Sequence, residues 1–140
     1  MAIYPRGERI GAFERVRLAG EILTAYVQAR RALRRAPIES AIASLRALAP
    51  ATTPASARTL HDARRLGRAV TRLLAYVPGD TRCLARSLVL TRLLARRGVA
   101  AKLVIGARTE PEFLAHAWVE HEGEPVLDPG DGSFARLTEL

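Results

Sequence analysis

At 140 residues, with 49% hydrophobic and 26% charged residues, the chain has the size and composition of one soluble globular domain. No stretch approaches the roughly 18 uncharged apolar residues of a membrane span, and the charged N-terminus lacks the apolar run of a secretory signal. We therefore predict a cytoplasmic protein without a membrane role. The net charge of +8 is uneven, because residues 1–97 hold 19 Lys/Arg and 6 Asp/Glu, whereas residues 98–140 hold 3 and 8. The Arg residues alternate with Ala and Leu and aromatic content is only 5%, which favours solvated helix faces over nucleic-acid binding.

The first 77 residues are predicted to form three helices. Apolar residues recur at helical spacing from Glu8 to Arg35, which predicts one long or broken helix with Gly20 as its weak point. Pro37 ends it, a second helix is predicted from Ile38 to about Leu48, and a third from about Ala57 to Tyr76. The residues that carry the helical period of the first helix are Ile10, Phe13, Val16, Leu23 and Val27.

The segment DTRCLARSLVLTRLLARRG predicts a fourth helix with Cys83 in its first turn. Asp80 or Thr81 is placed to cap its N-terminus, and Gly98 is placed to end it. After Gly98, the runs AKLVIGA, AHAWVEH and EPVLDP are short and rich in β-branched residues, which predicts three strands of an antiparallel sheet. The predicted fold class is therefore α+β, with helices first and the Cys-bearing helix packed on a small antiparallel sheet.

Cys83 is the only cysteine, which excludes an internal disulfide and a multi-cysteine zinc site. A thiol attacks as the thiolate, and the first turn of a helix favours the thiolate through its partial positive charge and unpaired N–H groups. Its placement fits a nucleophile and a buried apolar thiol equally well. If Cys83 is the nucleophile, its backbone N–H is the natural oxyanion donor. No cofactor or metal is predicted.

His116 lies in the run AHAWVE, with Trp118 on the same face of the strand. A lone histidine in a strand is more often structural, but Asp128 lies twelve residues further on, on the returning strand. A carboxylate there can hold one ring nitrogen while the other faces a thiol. A two-residue turn would put Asp128 opposite Ala117, on the wrong face, so we predict an odd loop from Glu122 to Glu124 or a bulge.

The other polar candidates are predicted to be structural. His61 is expected to be exposed on the third helix, and His121 to be solvated at the hairpin turn. Asp131 is expected to be a turn residue, with the orienting carboxylate as its alternative role. Ser87 is expected to face its helical neighbours or to line the cleft, and Trp118 to be a core or cleft-wall residue.

The run CLARSLVLTRLLARRGVAAKLVIGAR, followed by AHAWVE and by an Asp after EGEPV, resembles the lasso-peptide biosynthesis B2 proteins. These form a branch of the transglutaminase-like superfamily of cysteine proteases, and the resemblance is dense from about Pro78 to Pro129. It implies a transglutaminase/papain-like core, and the family's catalytic Cys, His and Asp match Cys83, His116 and Asp128. We expect a single domain over residues 1–140, with a helical docking part over residues 1–77 and the catalytic core over residues 78–140.

The resemblance implies a leader peptidase, which cuts a ribosomally made lasso precursor between leader and core through a thioester intermediate. In such systems a small recognition protein, B1, presents the leader, and an ATP-dependent cyclase forms the macrolactam from the freed core. We expect B1 to be a separate chain, because the residues before Cys83 are predicted to be helical. The basic helices, with Arg30, Arg31, Arg34 and Arg35, are the expected docking surface for the recogniser and the leader.

Two alternatives to the peptidase stay open. In a transglutaminase-type acyltransferase, a Lys amine would take the place of water in the second half of the reaction. In a non-catalytic binding module, the Cys, His and Asp would be structural, and the thiol would react slowly whether or not His116 is present.

Overall fold

The computed structural model describes residues 10–46, 56–78, 83–130 and 132–140, which form four helices and one four-stranded antiparallel sheet. The helices are α1 (Ala12–Arg35), α2 (Ile38–Arg46), α3 (Ala57–Leu74) and α4 (Cys83–Arg96). The strands are β1 (Lys102–Arg108), β2 (Leu114–His121), β3 (Glu124–Pro125) and β4 (Ala135–Glu139), in the sheet order β3-β2-β1-β4. The predicted α+β class is confirmed. Within the described ranges, no helix is both long enough and apolar enough to cross a bilayer.

The ends of α1 and α3 follow from the local sequence. Ala36 leaves α1 in an extended conformation, with φ −151° and ψ 158°, because the ring of Pro37 disfavours helical geometry in the preceding residue. Ser56 caps α3, since its Oγ accepts a hydrogen bond from the N–H of Thr59 at 3.1 Å. The predicted stop at Pro37 is confirmed, and Gly20 does not interrupt α1.

The C-terminus of α4 is a Schellman motif. Gly98 has a φ of 72°, in the left-handed region that glycine adopts without a steric cost. The N–H of Gly98 donates to the carbonyl of Ala95, and the N–H of Val99 to that of Leu94, both at 3.0 Å. The predicted stop at Gly98 is confirmed, and the chain turns here from α4 towards the sheet.

α1 packs into the core by a different face from the one that its period suggested. Of the residues that carry that period, Phe13, Val16, Leu23 and Val27 are 80%, 72%, 41% and 46% exposed. α1 has apolar residues on two faces, and the face that packs into the core carries two alanines. The buried residues of α1 are Leu18, Ile22, Ala25, Tyr26 and Ala29.

One hydrophobic cluster joins all four helices to one face of the sheet. α4 lies at its centre, and every residue from Ser87 to Ala95 is buried. Leu103 of β1 and Val119 of β2 belong to this cluster, whereas their neighbours Val104 and Trp118 alternate to the opposite face. Each large apolar side chain buried in this way contributes about 1.5–3 kcal/mol.

Hydrogen bonds from two arginines connect α2 to the rest of the molecule. Arg92 of α4 is 7% exposed and donates from Nη1 to the carbonyl of Leu45 at 2.8 Å, and its burial lowers the pKa of its guanidinium. Arg46 donates from Nη2 to the carbonyls of Ala101 at 2.6 Å and Leu140 at 2.9 Å, and burial lowers its pKa as well. Arginine remains charged when it is buried, and a buried charged donor without a hydrogen-bond partner lowers stability. These carbonyls accept hydrogen bonds from both guanidinium groups and so remove that cost.

β2 and β3 are joined by a two-residue turn. His121 pairs with Glu124, which leaves Glu122 and Gly123 between the strands. Both have positive φ values, 52° and 78°, as a type I′ turn requires. The three-residue loop from Glu122 to Glu124, one of the two predicted arrangements, is therefore wrong.

A β-bulge follows this turn. The N–H groups of Val126 and Leu127 both donate to the carbonyl of Val119, at 2.9 Å and 3.4 Å. The bulge adds one residue to the returning chain, which brings Asp128 to the face of the sheet that carries His116. The bulge, the other predicted arrangement, is confirmed.

β4 extends the sheet beside β1 and was not predicted from the sequence. All five of its residues are exposed, so no side chain of this strand belongs to the core. Ion pairs stabilise the C-terminal end of β4. Lys102 of β1 and Arg136 hydrogen-bond to Glu139 and lower the pKa of that carboxyl.

Candidate active site

Cys83 is the first residue of α4 and is half-buried. The prediction that it falls in the first turn of a helix is confirmed. The predicted caps, Asp80 and Thr81, lie outside the described residues. At this position the thiol lies at a helix end where unpaired N–H groups and the helix dipole stabilise negative charge.

Cys83 and His116 lie on elements that pack against each other. Cys83 begins α4, which packs against β1 and β2. His116 lies in β2 and pairs with Gly106 of β1.

The thiol and the imidazole are not in direct contact. His116 alternates with Val119, which belongs to the core cluster, and so lies on the sheet face that points away from this cluster. Among the described residues, no hydrogen bond joins the thiol of Cys83 to the ring of His116. The structure thus brings His116 and Asp128 together and, within the part of the chain that it describes, does not join Cys83 to either of them by a hydrogen bond.

The ring of His116 has one nitrogen fixed by the main chain. Its Nε2 lies 2.8 Å from the carbonyl oxygen of Asp128. A carbonyl only accepts hydrogen bonds, so Nε2–H is the donor and Nδ1 carries the lone pair. Nδ1 is therefore the nitrogen that can take a proton from a nucleophile.

The carboxylate of Asp128 has a different partner. Its Oδ1 accepts a hydrogen bond from the N–H of Gly130 at 2.9 Å, which fixes the turn after the bulge. The predicted contact between this carboxylate and the ring of His116 is thus not formed, and the main-chain carbonyl of the same residue takes its place. Gly130 has a φ of 83°, and a Cβ there would lie 2.7 Å from the ring of Phe134, so the turn requires glycine.

Two aromatic rings pack on His116. Trp118 stacks with a centroid distance of 6.0 Å and an interplanar angle of 23°, and Phe134 lies at 5.0 Å and 33°. Trp118 is 5% exposed, which confirms its predicted place in the core or the cleft wall. Phe134 was not identified from the sequence, because it lies in a segment without periodicity.

Trp118 is itself held by an ion pair that reaches β4. Its Nε1–H donates to Oε1 of Glu120 at 2.9 Å, and Glu120 is only 8% exposed. Arg136 donates to both oxygens of this carboxylate, at 2.8 Å and 3.2 Å, and Glu120 raises the pKa of the Arg136 guanidinium. Glu120 was missed although it shares the period of His116 and Trp118, whereas no sequence pattern pointed to Arg136.

The remaining candidates are structural or lie outside the described ranges. His61 is exposed, as predicted. His121 was predicted to be solvated, which is wrong: it is 2% exposed, and its Nδ1 lies 2.6 Å from the carbonyl of Ala100, because the connection from α4 to β1 covers it. Ser87 is fully buried and lines no open cleft, and Asp131 lies outside the described residues. Those residues contain no group of three or more His, Cys, Asp or Glu arranged for a metal ion.

Comparison with known proteins covers most of the chain. The sequence model described as the transglutaminase-like superfamily matches residues 23–139, a range that contains Cys83, His116 and Asp128. A stretch of 46 residues, 33% of this chain, is 48% identical to the microcin J25-processing protein McjB of Escherichia coli. The matched stretch spans only 22% of that relative. No solved structure matches the chain.

Proposed function

This chain belongs to the transglutaminase-like superfamily, and we propose that it is a cysteine peptidase that removes the leader from a ribosomally synthesised lasso precursor peptide. The observation that carries the proposal is the family match over residues 23–139, which spans a cysteine at a helix N-terminus and a strand histidine with one nitrogen fixed. The similarity to a protein named for processing microcin J25 supports a peptide substrate. The cytoplasm is the proposed location, because ribosomal precursors are made there.

The first half of the proposed reaction forms a thioester. The thiolate of Cys83 attacks the carbonyl carbon of the scissile peptide bond, and the backbone N–H of Cys83 hydrogen-bonds to the developing oxyanion. Nδ1 of His116 takes the proton of the thiol and then delivers it to the leaving amine. The core peptide leaves with a free amino terminus, and the leader remains bound to sulfur as an acyl group.

The second half releases the leader. Water attacks the thioester carbon, Nδ1 of His116 takes its proton, and the thiolate of Cys83 leaves and is ready for another cycle. Asp128 is proposed as a positioning residue, which keeps the proton on Nε2 through its main-chain carbonyl. The Trp118 and Phe134 rings restrict the tilt of the imidazole.

The proposed partners follow from this role. The precursor leader is the substrate, a separate recognition protein of the B1 type presents it, and a lasso cyclase takes up the freed core. The basic surface of the helices is the proposed docking side for the recogniser, because residues 1–97 carry a net charge of +13.

The test is mass spectrometry of a lasso precursor peptide incubated with the protein and its recogniser. We expect one cut at the leader–core junction with the wild type and no cut with Cys83→Ala. Ser87→Ala is the matched control, since it removes a buried hydroxyl without a hydrogen-bond partner one helical turn from Cys83. Cleavage by Cys83→Ala would refute the proposed nucleophile, and joining of the peptide to a Lys amine would identify an acyltransferase instead.

A second measurement tests the pairing of Cys83 with His116, which are not hydrogen-bonded in this structure. The rate of Cys83 alkylation by iodoacetamide is followed from pH 5 to 9 in the wild type and in His116→Ala. A catalytic pair predicts fast alkylation at neutral pH that slows at least tenfold without His116. Equal, slow alkylation of both proteins would favour a structural thiol and a non-catalytic module.

A further inference from the structure

A groove of about 660 Å³ lies between α1 and the second half of α3. It is on the outer side of α3, because Gly67 of this helix faces the carbonyl of Val126 in the hairpin, and the groove residues Arg68 and Arg72 lie roughly 100–140° around the helix from it. The groove is therefore separate from the sheet face that carries His116.

The walls of this groove are basic. Arg15 of α1 and Arg65, Arg68 and Arg72 of α3 line it, and none of its described lining residues is acidic. Arg15, Arg68 and Arg72 are exposed, and none of the three forms an ion pair with another described residue. These three guanidinium groups carry like charge on one groove, and an anionic occupant would relieve their mutual repulsion.

The floor of the groove is apolar. Leu18, Ala69 and Leu73 are among its apolar lining residues, and Tyr76, which also lines it, is 87% exposed. A phosphate-rich ligand would pair with the arginines and leave this floor uncovered. A peptide that carries both acidic and apolar side chains satisfies the walls and the floor together, because guanidinium groups bind carboxylates in bidentate geometry and the floor takes the apolar side chains.

One lining residue of the groove, Tyr76, is close to Cys83 along the chain. Tyr76 precedes Cys83 by seven residues, so their Cα atoms are separated by at most about 25 Å. An extended peptide of about eight residues covers the same distance. A segment held in the groove can thus belong to the same polypeptide as a bond presented to Cys83.

We propose that the α1–α3 groove binds an acidic segment with apolar side chains, located within the peptide substrate. The inference rests on the proposed function only for the identity of that peptide as a precursor with a leader. Binding itself requires no cleavage, so the two ideas are tested separately. The groove would raise the local concentration of the scissile bond near Cys83 and add affinity to that of the recogniser.

The experiment is fluorescence anisotropy with a labelled twelve-residue peptide that contains four Glu, four Leu and four Ser, beside a matched peptide with Gln for Glu. The protein is the full chain carrying Cys83→Ala, so that no turnover occurs. We expect the acidic peptide to bind at least tenfold more tightly than the Gln peptide. Arg68→Glu with Arg72→Glu should weaken it at least tenfold, and the control pair Arg58→Glu with Arg96→Glu, exposed outside the groove, should change it less than twofold.

A second variant, Ala69→Phe, fills the groove without a change of charge and should also abolish binding of the acidic peptide. Equal binding by the groove variants and the control pair would overturn the proposal. The proposal would also be overturned if the protein bound phosphatidylglycerol vesicles through these arginines but did not bind the peptide. Self-association that the groove variants abolish would overturn it as well. Peptide binding without precursor cleavage would leave the groove standing and refute the peptidase, and cleavage without groove binding would do the reverse.

Discussion

The side chain of Asp128 binds within its own loop, whereas its main-chain carbonyl binds the ring of His116. The carbonyl accepts from Nε2 of His116 at 2.8 Å, and the carboxylate accepts from the N–H of Gly130 at 2.9 Å. The carbonyl keeps its direction only while the turn after it holds. The carboxylate therefore supports the histidine indirectly, through the conformation of residues 128–130.

Replacement of Asp128 separates these two roles. Asp128→Asn keeps an Oδ1 acceptor for Gly130, so we expect precursor cleavage within about tenfold of the wild type. Asp128→Ala removes the acceptor, frees the turn and should lower kcat by more than a further tenfold, with little change in KM. Steady-state rates of precursor cleavage over a range of precursor concentrations, with the recogniser present, give both constants.

The opposite pattern would support a direct role for the carboxylate. If Asp128→Asn and Asp128→Ala lose activity equally, the negative charge itself stabilises the imidazolium, and the carboxylate must turn towards the ring in the substrate complex. Thermal melts of both variants serve as the control, because a loss of folding would lower activity without testing either role.

The sequence was sufficient to select the residues around the ring but not the atoms that touch it. Cys83, His116 and Asp128 stand out because their chemistry, order and strand period agree, and the face argument required the bulge that the structure has. Whether a carbonyl or a carboxylate meets the imidazole depends on the turn at Gly130, with its φ of 83°. Gly130 marks a turn in the sequence, but it does not determine which oxygen of Asp128 meets the imidazole, so the atomic contact could not be predicted.

At the scale of elements, α1 shows why a helical period does not identify a buried face. Ile22 and Leu23 are neighbours of similar size, yet Ile22 is 1% exposed and Leu23 is 41% exposed. Both belong to apolar sets with helical spacing, so the sequence alone offers two stripes. In the structure, the face that carries Ala25 and Ala29 packs into the core cluster that also contains α4.

A pair of alanine substitutions tests this assignment. Ile22→Ala removes a side chain from the core cluster and should lower the free energy of unfolding by about 2–4 kcal/mol. Leu23→Ala removes a side chain that mostly faces solvent and should cost less than about 1 kcal/mol. Urea unfolding followed by circular dichroism measures both values, and a larger loss in Leu23→Ala than in Ile22→Ala would reverse the assigned face.

β4 is the strand that was not predicted from the sequence. A strand is recognised by apolar alternation, and this one pairs with β1 while all five of its residues stay exposed. Its contribution is ionic, since Arg136 holds the buried carboxylate of Glu120 beneath Trp118. The contacts that support the ring of His116 therefore extend to β4, a strand that forms only by pairing with residues distant in the chain.

Over the whole molecule, positive and negative charge are divided between two parts of the chain. The helical part carries the net positive charge, and the part after residue 97 carries 8 acidic and 3 basic residues. On α1, Arg30 is engaged by Tyr26, with a hydrogen bond of 3.2 Å and its guanidinium 5.7 Å from the ring centre. Arg31 and Arg35 instead line a depression of about 450 Å³ between α1 and α2, which makes them the better positions at which to test recogniser docking.

Charge reversal at this depression should weaken the complex with the recogniser. Arg31→Glu with Arg35→Glu is expected to raise the Kd at least tenfold by isothermal titration calorimetry and to raise the KM for precursor cleavage while kcat stays constant, because these cations act on encounter and not on the reacting atoms. The affinity of the wild type should also fall more steeply with salt than that of the variant. The pair Arg58→Glu with Arg96→Glu makes the same change of net charge outside the depression. An equal loss in both pairs would mean that the recogniser senses only the overall field of the molecule, and no loss in either would place its binding on the acidic part of the chain.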